Sequence, residues 1–307
     1  MWKDWIRPLV RPLPQWSTIA MAPPQAVVGA TLRWEGGIAD VTNDHTVASL
    51  KPLVVATSID AGLHPTLEYR DSTSGKLIGA LKLSRMASVV SDGASVAVYH
   101  VVAGEHRCLG WPRRPWNAWL QNRLMLKHPS AQHALMAPSA VQQLMIAYLC
   151  PRPVVLVSVD TEDHRNMFPM DLIGPLGHDG LFSLALRSTN VSATVMLQSR
   201  RVALSSIPAA MKATVYKLSE HHRLPLTDWQ SLPLAVRPSR TFGIPVVADA
   251  LRVHELAIEH AQEIGSHTFF LGRIVSEERR VDGHQLHHTP GFHQVFRRRH
   301  HAPFAEI

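Results

Sequence analysis

Short apolar runs rich in β-branched residues, each closed by turn signals, recur along the whole chain and leave little room for long helices. In the first third these runs are residues 26–34 (AVVGATLRW), 52–60 (PLVVATSID), 76–84 (KLIGALKLS) and 94–102 (ASVAVYHVV). Gly36-Gly37 and Asp92-Gly93 supply hairpin punctuation between them. The pattern resumes with 152–160 (RPVVLVSVD), 180–188 (GLFSLALRS) and 200–207 (RRVALSSI). Residues 250–264 and 266–281 close the series. The first of these two is helix-like in composition, but its partner is strand-like and Gly265-Ser266 suits a hairpin turn, so both are read as strands. Many short strands with few helices point to a mainly β chain built as antiparallel barrels.

The helices are few, and proline marks their starts. PWNAWLQNRLML opens at Pro115, and SAVQQLMIAYL follows Pro138. In the second, Val141, Leu144, Met145 and Tyr148 share one face. A short helix is expected over 209–222 and a loop over the proline-rich 223–245. These readings divide the chain into a Pro-rich arm (1–25), a β-rich domain (26–130), a second domain (131–283) and a His/Arg-rich tail (284–307). Trp2, Trp5 and Ile6 could anchor the arm to a surface. The stretch GWPRRPWNAW, 110–119, could be a substrate lid or a stacking surface, but is read as a connector whose tryptophans pack between two domains.

With 46% hydrophobic residues the chain can fill a sizeable core, which excludes wholesale disorder. No run approaches a membrane-spanning length. Two cysteines, Cys108 and Cys150, cannot make a disulfide framework, and a cytoplasmic location is the expectation. Basic residues exceed acidic ones by 31 − 24 = 7, and most of them are arginine, which grips phosphate or carboxylate through two parallel bonds. No nucleic-acid recognition motif accompanies the charge, so a nucleic-acid partner ranks last. The basic run at 297–301 reads as a solvated tail. Six histidines crowd residues 284–301, but glycine and proline break the segment and no HExxH pair occurs, so no metal is expected.

An internal repeat is visible in outline. Residues 27–60 and 154–187 each show an apolar strand, an acidic or Gly-rich turn, a polar segment and a second apolar strand.

From about residue 138 to 280 the chain resembles the flavin reductase-like family, the FMN-binding split barrels. Four pieces carry the resemblance: PRPVVLVSV (151–159), NMFPMD (166–171), LFSLALRSTNVSATVMLQSRRVALSSIP (181–208) and GSHTFFLGRIVSEE (265–278). A faint second copy, DHTVASLKPLVVATSID (44–60), lies in the N-terminal half and raises the prospect of two tandem split-barrel halves. The resemblance implies non-covalent FMN, or FAD, usually at a dimer interface, with NAD(P)H as a transient reductant. The partner would be a second copy in a homodimer, or the N-terminal half in an internal pseudo-dimer.

A phosphate monoester calls for convergent hydroxyls, N–H donors and a guanidinium. Arg187, Ser188, Thr189 and Asn190 offer these after a strand, and Ser192 and Thr194 follow in the expected first turn of a helix. In the family the loop matching Asn166, Met167, Phe168, Pro169, Met170 and Asp171 touches the isoalloxazine ring. Asp171 stands where the family has Ser, so its charge would oppose a phosphate unless Arg165 or Arg187 pairs with it. His267, in SHTFFLG, is the candidate catalytic donor to flavin or substrate. No GxSxG, catalytic cysteine context or GxGxxG is present. The chain thus reads as an FMN-dependent oxidoreductase of flavin reductase type, passing hydride from NAD(P)H through flavin to flavin or a small acceptor. The alternatives are a non-catalytic flavin- or ligand-binding split barrel and, last, a basic nucleic-acid-associated protein.

Overall fold

A computed structural model describes residues 12–22, 27–91, 94–127, 136–177 and 180–307. Trp2, Trp5, Ile6 and the Asp92-Gly93 turn lie outside the described residues. The first half contains β1 (Ser17–Met21), β2 (Val28–Trp34), β3 (Gly37–Asp40), β4 (Thr46–Leu50) and β5 (Leu53–Thr57). It continues with β6 (Thr66–Asp71), β7 (Leu77–Ser91), β8 (Ala94–His106), α1 (Arg113–Lys127) and α2 (Pro138–Ala147). The second half begins with β9 (Arg152–Pro153), β10 (Val155–Asp160), β11 (Arg165–Met170), β12 (Ile173–Pro175) and β13 (Leu181–Arg187). Then follow α3 (Ala193–Ser199), β14 (Arg201–Ser206), α4 (Lys212–Lys217), β15 (Val236–Pro238) and β16 (Pro245–Val247). It closes with β17 (Arg252–Ile264), β18 (His267–Arg279), β19 (Gln285–Thr289), α5 (Gly291–Arg299) and β20 (Ala305–Glu306). The fold is mainly β with few helices, as the strand pattern requires. The helix-like run 252–264 is a strand, paired with β18 across the Gly265-Ser266 turn.

Two open, seven-stranded antiparallel sheets dominate. The first runs β3-β2-β6-β7-β8-β5-β4 and the second β11-β10-β14-β17-β18-β13-β12. Numbering the seven strands of each sheet in chain order gives one arrangement for both, 2-1-5-6-7-4-3. The run 154–159, apolar but for the buried Ser158, follows from burial on both faces of β10. Val155, Val157 and Val159 enter one core, while Val154 and Leu156 enter another.

The halves dock through corresponding strands. Gly174 of β12 lies against Thr46 of β4, the strand in the same position of the first sheet. Asp44 Oδ1 accepts from Gly177 N at 2.6 Å, and Lys51 O accepts from Ser266 N at 2.9 Å. Gly265 has φ +57°, and a Cβ there would sit 2.1 Å from Lys51 O, so close approach as well as conformation requires glycine. α2 packs on the first sheet, where a Cβ on Gly79 would meet Ile146 Cγ2 at 3.2 Å.

The structure corrects three sequence readings. Residues 284–307 are packed into the fold, although 298–301 of the basic run are exposed as expected. β19 pairs with β1, whose residues come from the supposed irregular arm, and α5 buries Phe292, His293, Gln294, Phe296 and Arg297. Arg297 reaches Asp71 of the first sheet at 3.0 Å, so part of the basic run is a buried ion pair. Among the described residues, the tryptophans of 110–119 stand at the surface rather than between the two sheets. Trp111 is 85% exposed, and Trp116 and Trp119 stack on each other with centroids 4.9 Å apart. Residues 166–171 are not a loop: 166–170 lie within β11, whose register with β10 fixes which side chains reach outward.

Candidate functional site

β13 and β18 set the site through their register. Arg187, the last residue of β13, pairs with His267, the first of β18, so both side chains leave the same face of the sheet. The turn before His267 is pinned to the first half. Lys51 N donates to Ser266 Oγ at 3.1 Å, and Leu50 N approaches His267 Nδ1 at 3.5 Å. An amide can only donate, so Nδ1 acts as acceptor and the neutral ring carries its proton on Nε2. Burial, reinforced by the Arg187 charge, pushes the His267 pKa down to about 4.

A cavity of about 780 Å³ opens beside this pair, lined from both halves. Arg187, Thr189 and Asn190 line it, together with His222 and Arg223. Burial lowers the Arg187 pKa, and the neighbouring Arg223 guanidinium lowers it further. No ion pair or hydrogen bond to a carboxylate engages either guanidinium among the described residues. Asn190 Nδ2 meets His222 Nδ1 at 3.0 Å, which fixes both side chains.

Pro169, Met170 and Asp171 from the end of β11 also line the cavity, with Trp16, Val141, Leu144 and Tyr148. Asp171 Oδ2 accepts from His288 Nδ1 at 2.7 Å, and His288 Nε2 lies 2.6 Å from Tyr216 Oη. Burial alone would raise the Asp171 pKa. The hydrogen bond and charge of His288, aided by Tyr148 and Arg152, outweigh it and hold the carboxyl below its usual range. The pairing expected from Arg165 or Arg187 therefore comes from His288.

The remaining candidates fall outside the cavity lining. Asn166 is buried and donates to Ser192 Oγ at 2.9 Å and to His221 O at 2.7 Å. Met167 and Phe168 belong to two separate hydrophobic cores, because consecutive strand residues face opposite ways. Ser188 and Thr194 are exposed, and Ser192 is buried beneath them. α3 has seven residues, and Asn190 already caps its approach by accepting from Ser192 N at 2.8 Å. Arg223, His222, Tyr216 and His288 are additional lining residues. Arg223 and His222 sit in a segment without periodicity, and His288 was one of a crowd, so no motif marked them.

Residues 147–295 match the family model described as the flavin reductase like domain. This stretch is a flavin reductase like domain. No curated protein matches the chain. Among solved structures, the chain is similar to the NADH:FAD oxidoreductase SgcE6 of Streptomyces globisporus C-1027, with 20% identity and a TM-score of 0.44 over 54% of this chain and 96% of that one. It is similar to BorF, the flavin reductase component of a bacterial two-component tryptophan halogenase, with 16% identity and a TM-score of 0.43 over 48% and 97%. An FMN-binding protein from Thermus thermophilus shows 24% identity and a TM-score of 0.38 over 42% and 73%.

The residues lining the flavin reductase like domain fit a phosphate-bearing flavin. Two unpaired guanidiniums and the exposed Thr189 hydroxyl line a cavity whose volume lies in the range of small-molecule sites. Among the described residues no helix is long and apolar enough to cross a membrane.

Proposed function

We propose that the chain binds FMN or FAD in this cavity and acts as an oxidoreductase of flavin reductase type. The observation that carries the reading is the juxtaposition of Arg187 and Arg223, without carboxylate partners among the described residues, inside a flavin reductase like domain. Two adjacent cations repel each other, and a terminal phosphate relieves that repulsion while accepting charge-assisted hydrogen bonds from both. Thr189 adds a hydroxyl. Pro169 and Met170 flank the ring system, and Asp171 is kept from opposing the anion by its bond to His288. A bound flavin supplies the redox chemistry, accepting two electrons and a proton from reduced nicotinamide and passing them to free flavin, oxygen or a small acceptor. His267 directs its Nε2 proton into the cavity while Ser266 and the Leu50 amide hold the ring from behind.

The first half takes the place of a second subunit in this reading. Its sheet repeats the strand order, and equivalent strands meet at the docking surface, as the two copies do in an isologous dimer. Its own counterpart of the phosphate side is lost. Between β5 and β6 lie residues 58–65, SIDAGLHP, with no Arg-Ser-Thr set, and Asp60 is bonded to Arg85. One flavin per chain is the expected stoichiometry.

The test is an absorption spectrum of the protein loaded with FMN, before and after anaerobic NADH or NADPH. About one equivalent of flavin whose band bleaches supports the reading. A band that persists favours a flavin carrier, and failure to retain flavin removes the proposal.

A further inference from the structure

We propose that Tyr216, backed by His288 and Asp171, donates a proton to the oxygen of a small conjugated carbonyl compound held at the apolar side of the cavity. This rests on the reading above for its electron source.

Three residues form one hydrogen-bonded chain along the cavity wall. Asp171 accepts from His288 Nδ1 at 2.7 Å, and His288 Nε2 meets Tyr216 Oη at 2.6 Å. Thr18 Oγ1 lies 3.1 Å from the same phenol oxygen. When His288 is protonated, both its ring N–H groups donate, one to Asp171 and one to Tyr216 Oη. With Thr18 Oγ1 donating to the same oxygen, the phenol proton is free for a ligand in the cavity. Burial raises the Tyr216 pKa, with partial opposition from Thr18, which keeps the phenol protonated. The tyrosine and histidine rings are within 8° of parallel, so the line is fixed in orientation.

The surroundings name the ligand class. Trp16 packs on Tyr148 with centroids 4.4 Å apart, and Val141 and Leu144 extend the apolar wall. A compound seated there is uncharged and largely apolar, with one oxygen acceptor for Tyr216. Moving a hydride from nicotinamide to one flavin and on to another requires no such acid. Adding a hydride to a carbon conjugated to a carbonyl builds negative charge on the oxygen, which a proton donor placed there relieves.

The step balances as follows. The β-carbon gains a C–H bond with the electron pair and proton delivered from the reduced flavin. The C=C pair shifts toward the carbonyl carbon, and the C=O π pair moves to oxygen. An O–H bond forms there as the Tyr216 O–H bond breaks. Tyr216 recovers a proton from His288 Nε2–H, and solvent restores His288, whose side chain is 18% exposed. The released enol rearranges to the saturated carbonyl compound in water. Tyr216 is the catalytic group in this step, and His288 and Asp171 are positioning residues.

The test uses 4-dimethylaminocinnamaldehyde, a conjugated aldehyde whose absorption moves to the red when its oxygen accepts a hydrogen bond. It is titrated into the full-length protein with and without FMN. The wild-type protein should bind it with a red-shifted band. Tyr216→Phe should abolish the shift and weaken binding about tenfold, the scale of one lost hydrogen bond. His288→Gln should shrink the shift while keeping the phenol. No red shift in wild-type protein that retains FMN would overturn the proposal, as would an unchanged shift in either variant. A shift in protein that fails to retain FMN would overturn the reductive step alone, by removing its electron source. Should Tyr216→Phe fail to fold, the wild-type spectrum and His288→Gln still decide.

Discussion

His267 illustrates how one ring can be held in one protonation state by its neighbours. Burial and the Arg187 charge favour the neutral form, and the Leu50 amide assigns the proton to Nε2. NMR titration of this ring should show no protonation until the pH falls to about 4, against about 6.5 for an exposed histidine. A midpoint near 6.5 would place the ring in water and away from Arg187. Arg187, Thr189 and His267 were legible in the sequence because a strand-ending Arg-Ser-Thr set and a His after a tight turn carry recognisable chemistry. Arg223, Tyr216 and His288 were not, since each reaches the cavity through tertiary packing. Asn166, Met167 and Phe168 went the other way. Their composition matched a flavin-contacting loop, but the β11 register turns them into the interior.

Apolar, β-branched runs bounded by turn signals located the strands well at the element scale, down to the hairpin of β17 and β18. It misjudged the C-terminal segment, because Arg and His counted as solvent-seeking without regard to partners. α5 shows the reason: its arginine-rich end meets a carboxylate supplied by a distant strand. Asp71 accepts from Ser74 N at 2.8 Å and Ser74 Oγ at 2.7 Å, and from Arg297 at 3.0 Å. Arg297→Ala leaves that buried carboxylate short of a cation. It should cost about 3–5 kcal/mol of stability, read by denaturant unfolding at neutral pH. A loss under about 1 kcal/mol would mean that the pair is solvated. Arg298→Ala, at an exposed ion pair in the same helix, should change little.

For the whole molecule, the union of the two halves is the feature on which the cavity depends. Gly265→Ala forces a Cβ against the Lys51 carbonyl and strains a positive φ. It should lower the melting temperature and weaken FMN retention together. Full retention of both would show that the docking turn is dispensable. The molecule also carries a built-in acid sensitivity. Burial, the largest cause in each case, pushes His45 and His293 down to about 3 and His106 and His287 to about 4. The unfolded chain binds these protons near pH 6.5, so between about 6.5 and 4 it holds more of them than the native state. Stability is therefore present above pH 6.5 and is lost as pH falls through that window. Thermal melts from pH 7.5 to 4.5 should show a monotonic decline, and a flat profile would contradict the neutral burial of these rings.

The central claim is that Arg187 and Arg223 grip the phosphate of a flavin. Comparing FMN with riboflavin, which lacks the phosphate, isolates that contact. Titration of the wild-type protein should give FMN an affinity at least about a hundredfold above riboflavin, the scale of two charge-assisted hydrogen bonds. The gap should shrink by at least about tenfold in Arg187→Ala. Equal affinity for the two flavins in the wild-type protein, or a gap unchanged by Arg187→Ala, would contradict the account.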